Sequence, residues 1–226
     1  LKLTYSASFP TIVKHRYLTR NAKREEYRKI FSINNIPDPM VYEEEVREEF
    51  YRGLAEKIDD FDVVFLCDFG HGLIDEKVKD LIQEKAKYLV LNCQTNSTNY
   101  GMNIITKYGR ADAFTLDQKE LKLAYPMDMA DEHTALAKLS LHLGCGGWLT
   151  RGAEGAYGIE GQKIPEGQNV QKCQDRYECR NIDESLHICE YSYIHECPAF
   201  TLTVKDTVGA GDAFYSIAGL YAAAGA

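Results

Sequence analysis

The stretch DTVGAGDAF, residues 206–214, places three small residues between two acids. Gly209, Ala210 and Gly211 leave consecutive backbone N–H groups uncovered, and the Ala-rich sequence after them predicts a helix. A helix N-terminus carries a partial positive charge, so the two features together indicate an anion-binding site. Within such a site, Asp212 can take the proton from an attacking hydroxyl while the amides stabilise a phosphoryl group during its transfer. The residues alone equally allow a helix entrance in which Asp212 is only a cap.

The apolar pattern of the chain predicts the elements that would position this loop. Short buried strands are predicted at residues 61–68, 87–93, 111–117 and 145–152, and amphipathic helices at 41–58, 75–86 and 131–144. Strands separated by helices need crossover connections, which favours a mainly parallel sheet with helices on both faces. The predicted fold class is therefore α/β. In open sheets of this class, ligands bind beyond the carboxyl ends of the strands.

Polar and glycine residues follow the predicted strands at that end. They are Asp68 after the first strand, Asn92 after the second, Asp117 and Glu120 after the third, and Thr150, Gly152 and Gly155 after the fourth. Asn92 begins an amide-rich run that reaches Asn99, in which one or two side chains are expected to face a ligand and the others to serve turns. Asp68 is either a contact to a substrate hydroxyl or an acid that turns the chain at a strand end.

The opening stretch resembles the signature of the ribokinase (PfkB) family of carbohydrate kinases, Asp-Thr-x-Gly-Ala-Gly-Asp, at every position of residues 206–212. The resemblance implies a ribokinase-like fold and ATP-dependent transfer of phosphate to a sugar, with Asp212 as general base and the Gly-Ala-Gly amides as anion hole. The segment LTRGAEGAYG, residues 149–158, is similar to the family's nucleotide-binding strand and turn. The resemblance implies ATP contacts by Thr150, Gly152, Gly155 and, in the signature, Thr207.

The segment LDQKEL, residues 116–121, lies where the family has Asn-x-x-Glu, which organises magnesium and phosphate. The resemblance therefore implies that Glu120, with Asp117, acts on Mg²⁺. Asp117 stands where the family has asparagine, a departure that keeps an oxygen ligand and removes the amide.

Two earlier segments, PTIVKHRYL and CDFGHGLI, resemble the sugar-kinase half of bacterial ADP-heptose synthases and related kinases. The resemblance implies a sugar phosphate acceptor similar to a heptose phosphate, a small β lid that forms a homodimer, and a fused cytidylyltransferase-like domain in the full-length protein. Family members have further elements before and after this stretch. Residues 1–226 are therefore predicted to be a single kinase domain that is incomplete at both ends.

Lys14 and Arg16 alternate in the predicted strand IVKHRYL, so both would point to one face. There they could contact the substrate by clamping a sugar's phosphate. The other interpretation is an exposed edge strand protected by its charges. His71 is predicted to be an ordinary loop histidine, because Asp212 already supplies the base.

Composition limits the partners of the protein. The formal net charge is −8 with acids and bases interspersed, so neither nucleic acid nor an anionic membrane is an expected partner. No stretch approaches the ~18 apolar residues of a membrane span, and the cytoplasm is the predicted location. Residues 161–198 are predicted to be a polar insertion, and the spacing of its cysteines fits zinc poorly. These cysteines are Cys173, Cys179, Cys189 and Cys197.

Two other functions remain open at this point. One is a module of the same fold that binds a sugar or a nucleotide, or serves assembly, without catalysis; the departure at Asp117 favours it. The other is a nucleoside kinase of the same fold, against which the PTIVKHR and DFGHG segments argue.

Overall fold

The computed structural model describes residues 4–21, 26–37, 41–95, 99–126, 131–161, 193–200 and 209–225. The predictions for Thr207, Cys173, Cys179 and Cys189 lie outside these residues. The strands are β1 (Val13–Asn21), β2 (Glu26–Asn35), β3 (Val64–Asp68), β4 (Leu89–Cys93), β5 (Ala113–Asp117), β6 (Gly146–Thr150), β7 (Ala156–Ile159) and β8 (Ile194–Cys197). The helices are α1 (Glu44–Ala55), α2 (Glu76–Lys85), α3 (Gln118–Ala124), α4 (Glu132–Leu143) and α5 (Ala210–Ala223).

The main sheet has six strands in the order β3-β4-β5-β6-β7-β8. The first four are parallel, and they correspond to the four strands predicted from the apolar runs. Helices connect β3 to β4 and β5 to β6, as the crossover connections of a parallel sheet require. The predicted α/β class, with a mainly parallel sheet and helices on both faces, is thus confirmed.

Strand β4 is buried along its whole length, because helices cover both faces of the sheet at this point. Its side chains alternate between the two faces. Leu89 and Leu91 belong to the main core, with Ile82 of α2 and Leu136 of α4. Val90 faces the other way and packs with α5. Both faces of β4 therefore take part in holding the helices.

The helices begin and end at residues that their sequences favour. The side chain of Asp75 accepts a hydrogen bond from the N–H of Val78 at the start of α2 (3.0 Å). Gly144 ends α4 in the left-handed conformation, with φ of 71°. None of the helices in the described ranges is both long and apolar enough to cross a membrane.

Strands β1 and β2 form a separate antiparallel sheet of two strands, which agrees with the expected small β lid. The rings of Tyr17 and Phe31 stack across it with centroids 4.4 Å apart. Other apolar side chains remain exposed, including Ile30 at 63% and Ile33 at 52%. A two-stranded sheet is marginally stable by itself, so this one depends on further packing.

Strand β8 lies at the far end of the segment 161–198, which was predicted to be a polar insertion. Residues 194–197 pair with β7 and extend the main sheet with a second antiparallel strand. Their short and mostly polar sequence, IHEC, does not predict a strand, because these residues lie at the sheet edge, where side chains need not be apolar. Residues 162–192 lie outside the described residues.

Candidate active site

Helix α5 places the predicted anion-binding residues at its N-terminus. Gly209 is the N-cap and adopts φ of 77°, a backbone conformation that favours glycine. No side chain of the described residues caps the helix, so the first amides, from Ala210 and Gly211, can serve an external acceptor. Asp212 lies exposed in the same first turn. The base, anion-hole amides and helix dipole predicted from the sequence therefore share one exposed site.

Tyr215 fixes this helix on the sheet. Its hydroxyl lies 2.7 Å from the carbonyl oxygen of Val90 in β4 and 3.1 Å from a carbonyl oxygen in β3. Its ring meets Phe65 edge to face, with centroids 5.3 Å apart. At Gly219, a Cβ would lie 2.6 Å from the Phe65 ring, so only glycine permits this close approach. Since Asp212 precedes Tyr215 by one turn, these contacts determine where the acid lies.

Gln94 joins the loop after β4 to Asp212. Its side-chain N–H donates to Asp212 Oδ1 at 3.3 Å. Its own backbone is held on both sides, because its N–H donates to the carbonyl of Asp68 (2.8 Å) and its carbonyl accepts from the Asn103 side chain (2.9 Å). The amide-rich run was expected to send one or two side chains towards a ligand, and of its described residues Gln94 contacts the acid.

Asp117 and Glu120 form a capping box at the start of α3. The Asp117 carboxylate accepts from the N–H of Glu120 (2.8 Å), and the Glu120 carboxylate accepts from the N–H of Asp117 (2.9 Å). The second Glu120 oxygen accepts from the N–H of Thr95 at 3.2 Å, next to Gln94. Burial, followed by the charge of Asp117, raises the pKa of Glu120 to about 7. Both carboxylates thus have a structural task besides any contact with a metal.

The carboxylates of Asp117 and Glu120 suit a Mg²⁺ ion that has few protein ligands. The described residues contain no group of three or more His, Cys, Asp and Glu side chains arranged around a metal ion. Mg²⁺ commonly keeps several waters and binds one or two carboxylates together with substrate phosphates. Asp117 is exposed and Glu120 is half-buried beside it, which fits such an arrangement.

Asp68 is buried beneath the loops at the end of β3, with 2% exposure. Its carboxylate accepts from the hydroxyl of Tyr108 (2.7 Å) and the N–H of Gly70 (2.8 Å), and forms an ion pair with Lys107. These contacts compensate the burial of a charge. Asp68 therefore shapes the loop that contains Phe69, His71 and two positive-φ glycines.

Asn92 is buried as well, and its side-chain amide is bonded within the sheet. It donates to the carbonyl oxygen of Thr115 at 3.0 Å and lies 3.2 Å from the Thr115 hydroxyl. The structure therefore places the side-chain N–H groups of Asn92 against β5 rather than towards the loops at the strand end.

The predicted nucleotide residues lie at the end of β6, next to the capping box. Thr150 pairs with Asp117 in the register of β5 and β6, and its hydroxyl donates to the Leu116 carbonyl at 3.3 Å. Gly152 has φ of 59°, and a Cβ there would meet nothing within 4 Å. A Cβ at Gly155 would lie 2.0 Å from the Cys197 carbonyl oxygen. Gly155 thus permits the close approach of the chain end of β8, whereas Gly152 leaves open space.

The β1–β2 sheet brings Lys14 to the loop after β3. Lys14 Nζ lies 5.7 Å from the centroid of the Phe69 ring, within the range of a cation–π contact. Arg16 lies exposed two residues further along the same strand. Of the two predicted substrate cations, Lys14 thus has a contact with the loop after β3.

No protein-family model matches the chain, and no curated protein is significantly similar to it. The solved structure of phosphofructokinase-2 from Escherichia coli with substrates and products is similar, with a TM-score of 0.56 and 14% identity over 93% of this chain. The tetrameric inhibited form of that enzyme has a TM-score of 0.55 and 14% identity over 89% of this chain. Ribokinase from Giardia lamblia has a TM-score of 0.54 and 14% identity over 92% of this chain. The chain spans 58%, 56% and 54% of the lengths of these three chains. It therefore has the ribokinase-like α/β fold of these kinases.

Proposed function

We propose that the protein transfers phosphate from ATP to a hydroxyl group of a sugar or sugar phosphate, of the heptose-phosphate type. The observation that carries the proposal is Asp212 in the first turn of α5, whose N-terminus no described side chain caps. A carboxylate and free helix amides at one point suit proton removal and phosphoryl stabilisation together. The shared fold and the complete signature at residues 206–212 support the same reaction.

In the proposed reaction, Asp212 accepts the proton of the acceptor hydroxyl. The hydroxyl oxygen then bonds to the γ-phosphorus as the bond to the ADP oxygen breaks. The N–H groups of Gly209, Ala210 and Gly211 hold the negative oxygens of the phosphoryl group. Gln94 donates to one oxygen of Asp212, which leaves the other oxygen for the acceptor proton.

Cofactor contacts belong to the other end of the site. Thr150, Gly152 and Gly155 contact ATP together with Thr207, and Glu120 and Asp117 hold Mg²⁺. When bound, Mg²⁺ neutralises the charge of the phosphate oxygens. Asp117 and Thr150 are neighbours at the ends of β5 and β6, which supports a shared metal and nucleotide site.

Substrate contacts are assigned to the opposite side, near the β1–β2 sheet. Lys14 and Arg16 approach the acceptor, whereas Asp68 and Asn92 line the base of this region. A direct contact by Asp68 or Asn92 would have to replace one of their internal hydrogen bonds. Asp68 therefore mainly holds the loop after β3, and Asn92 mainly joins β4 to β5. We place the reaction in the cytoplasm, where ATP is supplied.

We further propose that the protein associates into a homodimer through the β1–β2 sheet. Escherichia coli phosphofructokinase-2 has a tetrameric form, which shows that this fold can associate. A fused cytidylyltransferase-like domain in the full-length protein stays a prediction of the sequence resemblance.

The test is ATP consumption by the full-length protein with magnesium, across hexose and heptose phosphates, free sugars and nucleosides. Asp212→Asn is expected to lower kcat on the accepted substrate by about a hundred- to ten-thousandfold, the usual contribution of a general base. ATP binding should stay nearly unchanged, because asparagine leaves the amides of α5 in place.

Asp62→Asn is the matched control, since this aspartate is 98% exposed and far along the sheet from Asp212. Turnover of nucleosides alone would identify a nucleoside kinase instead. If ATP or sugar binds and no substrate is turned over, the proposal of phosphate transfer is wrong, and the result favours a non-catalytic binding module.

A further inference from the structure

His71 has an unexplained environment in the loop that follows β3. Both of its ring nitrogens are buried, and neither has a hydrogen-bond partner among the described residues. A neutral imidazole has one N–H donor and one acceptor, and buried polar groups are normally paired. An external ligand would supply the missing partner.

The loop around His71 is held in one shape. Gly70 and Gly72 flank the histidine with φ of 66° and 82°. A Cβ at Gly70 would lie 2.1 Å from the side-chain nitrogen of Asn99, and that nitrogen donates to the Phe69 carbonyl at 2.9 Å. Because Asn99 holds the backbone directly before His71 and positive-φ glycines flank it, the unpaired imidazole is a built feature of the loop.

A lysine contacts the same aromatic ring as this imidazole. The Phe69 ring stacks with His71, with ring centroids 6.2 Å apart, and Lys14 Nζ lies over the same Phe69 ring. Lys14 forms no salt bridge with a carboxylate of the described residues. Asp68, the carboxylate whose charge acts on His71, already forms an ion pair with Lys107. The charge of Lys14 is therefore available to an anion.

The titration of His71 agrees with this arrangement. Burial lowers the pKa of His71, the charge of Lys14 lowers it further, and the carboxylate of Asp68 raises it less. At neutral pH the imidazole is thus uncharged and keeps one N–H to donate. A cation next to a neutral donor suits a phosphate oxygen.

We propose that Lys14 and His71 bind a phosphate monoester on the acceptor, at the end of the molecule away from the hydroxyl that reacts. The inference rests on the proposed function and narrows its acceptor from a sugar or sugar phosphate to a sugar phosphate. Gln94 connects the loop of His71 to the proposed base, because it bonds both the Asp68 carbonyl and the Asp212 side chain. Lys14 and His71 thus select the acceptor, and Asp212 activates it.

A binding experiment tests the phosphate site without turnover. Full-length Asp212→Asn protein with labelled histidine is titrated with inorganic phosphate, and the His71 ring resonances are followed by NMR, assigned through the His71→Gln variant. Phosphate is expected to move the His71 resonances but not those of His15, an exposed histidine on the same strand as Lys14. Glucose without phosphate should move neither. Lys14→Gln should abolish the His71 shift, and because Lys14 is exposed, this variant retains the fold.

Kinetics supply the second readout. His71→Leu and Lys14→Gln should each raise KM for a sugar phosphate about ten- to a hundredfold, as expected for a lost hydrogen bond to a charged group, with kcat changed little. His71→Gln, which keeps an N–H donor, should recover part of the affinity, and His15→Gln should change nothing.

The outcomes separate this inference from the kinase assignment. Phosphate-dependent shifts of the His71 resonances without turnover of any substrate would support the anion site and contradict the kinase assignment. Turnover of free sugars but not of sugar phosphates, at a rate that the His71 variants do not change, would support the kinase assignment and overturn the inference. An unmoved His71 resonance, or equal shifts at His15, would overturn it too.

Discussion

Gln94 contacts the proposed base from a loop that is itself firmly held. Its amide donates to Asp212 Oδ1, and its backbone bonds the Asp68 carbonyl and the Asn103 side chain. Gln94→Leu should therefore lower kcat about tenfold, since one orienting hydrogen bond contributes about 1.4 kcal/mol, while KM for ATP stays unchanged. Steady-state kinetics with the accepted sugar would measure the two constants separately.

Gln83 offers a control for general loss of stability. Its side chain accepts from the N–H groups of Gly109 and Arg110 (2.8 and 3.0 Å), in a connection away from the base. Gln83→Leu should lower the unfolding free energy without changing kcat per folded molecule. Equal kcat losses in the two variants would contradict an orienting role for Gln94.

Single residues were only partly predictable from the sequence. Asp212 and its glycines were identifiable because their order in the chain creates the site within one helix turn. Gln94 was not distinguishable from the neighbouring amides, since its approach to Asp212 depends on two segments distant in sequence. The unpaired imidazole of His71 was missed for the same reason, because its burial and the contact of Lys14 with the neighbouring Phe69 ring arise only on folding.

Helix α5 determines the position of the site through its contacts with β3 and β4. Tyr215→Phe removes the hydroxyl that bonds the two strands, including the 2.7 Å bond to Val90, and should lower the unfolding free energy by about 1 kcal/mol. Tyr221→Phe, on the same helix but 63% exposed, should leave it unchanged. Urea denaturation of both variants makes the comparison, and indistinguishable midpoints would refute the anchoring role of Tyr215.

At the scale of elements, the apolar runs predicted the four parallel strands because parallel strands covered on both faces must be continuously apolar. The helices between them followed from their amphipathic spacing and their caps, such as Asp75 and Gly144. Strands β7 and β8 were missed, since each has only four residues and their antiparallel pairing is set by backbone distant in sequence. Only folding could reveal that Gly155 lets the end of β8 approach the backbone before β7 so closely.

At the scale of the whole molecule, the β1–β2 sheet leaves an unusual amount of apolar surface exposed. Tyr17, Ile30, Phe31 and Ile33 are all about half exposed or more on a sheet of only two strands. Isolated sheets of this size are marginally stable, and apolar surface of this kind is commonly covered by a partner. A second copy of the chain would cover it and would also hold Lys14 above the Phe69 loop.

Ile30→Asp should therefore shift the full-length protein from dimer to monomer, because a buried unpaired carboxylate at the interface is costly. Light scattering coupled to gel filtration at micromolar concentration would measure the mass. Val41→Asp is the matched control: Val41 is also exposed, at 61%, but precedes α1 and lies outside the small sheet. The dimer would then link assembly to substrate binding, since loss of the interface should also raise KM for the acceptor through Lys14. A monomeric wild-type protein, or dissociation by Val41→Asp as well, would show that the β1–β2 sheet is not the interface.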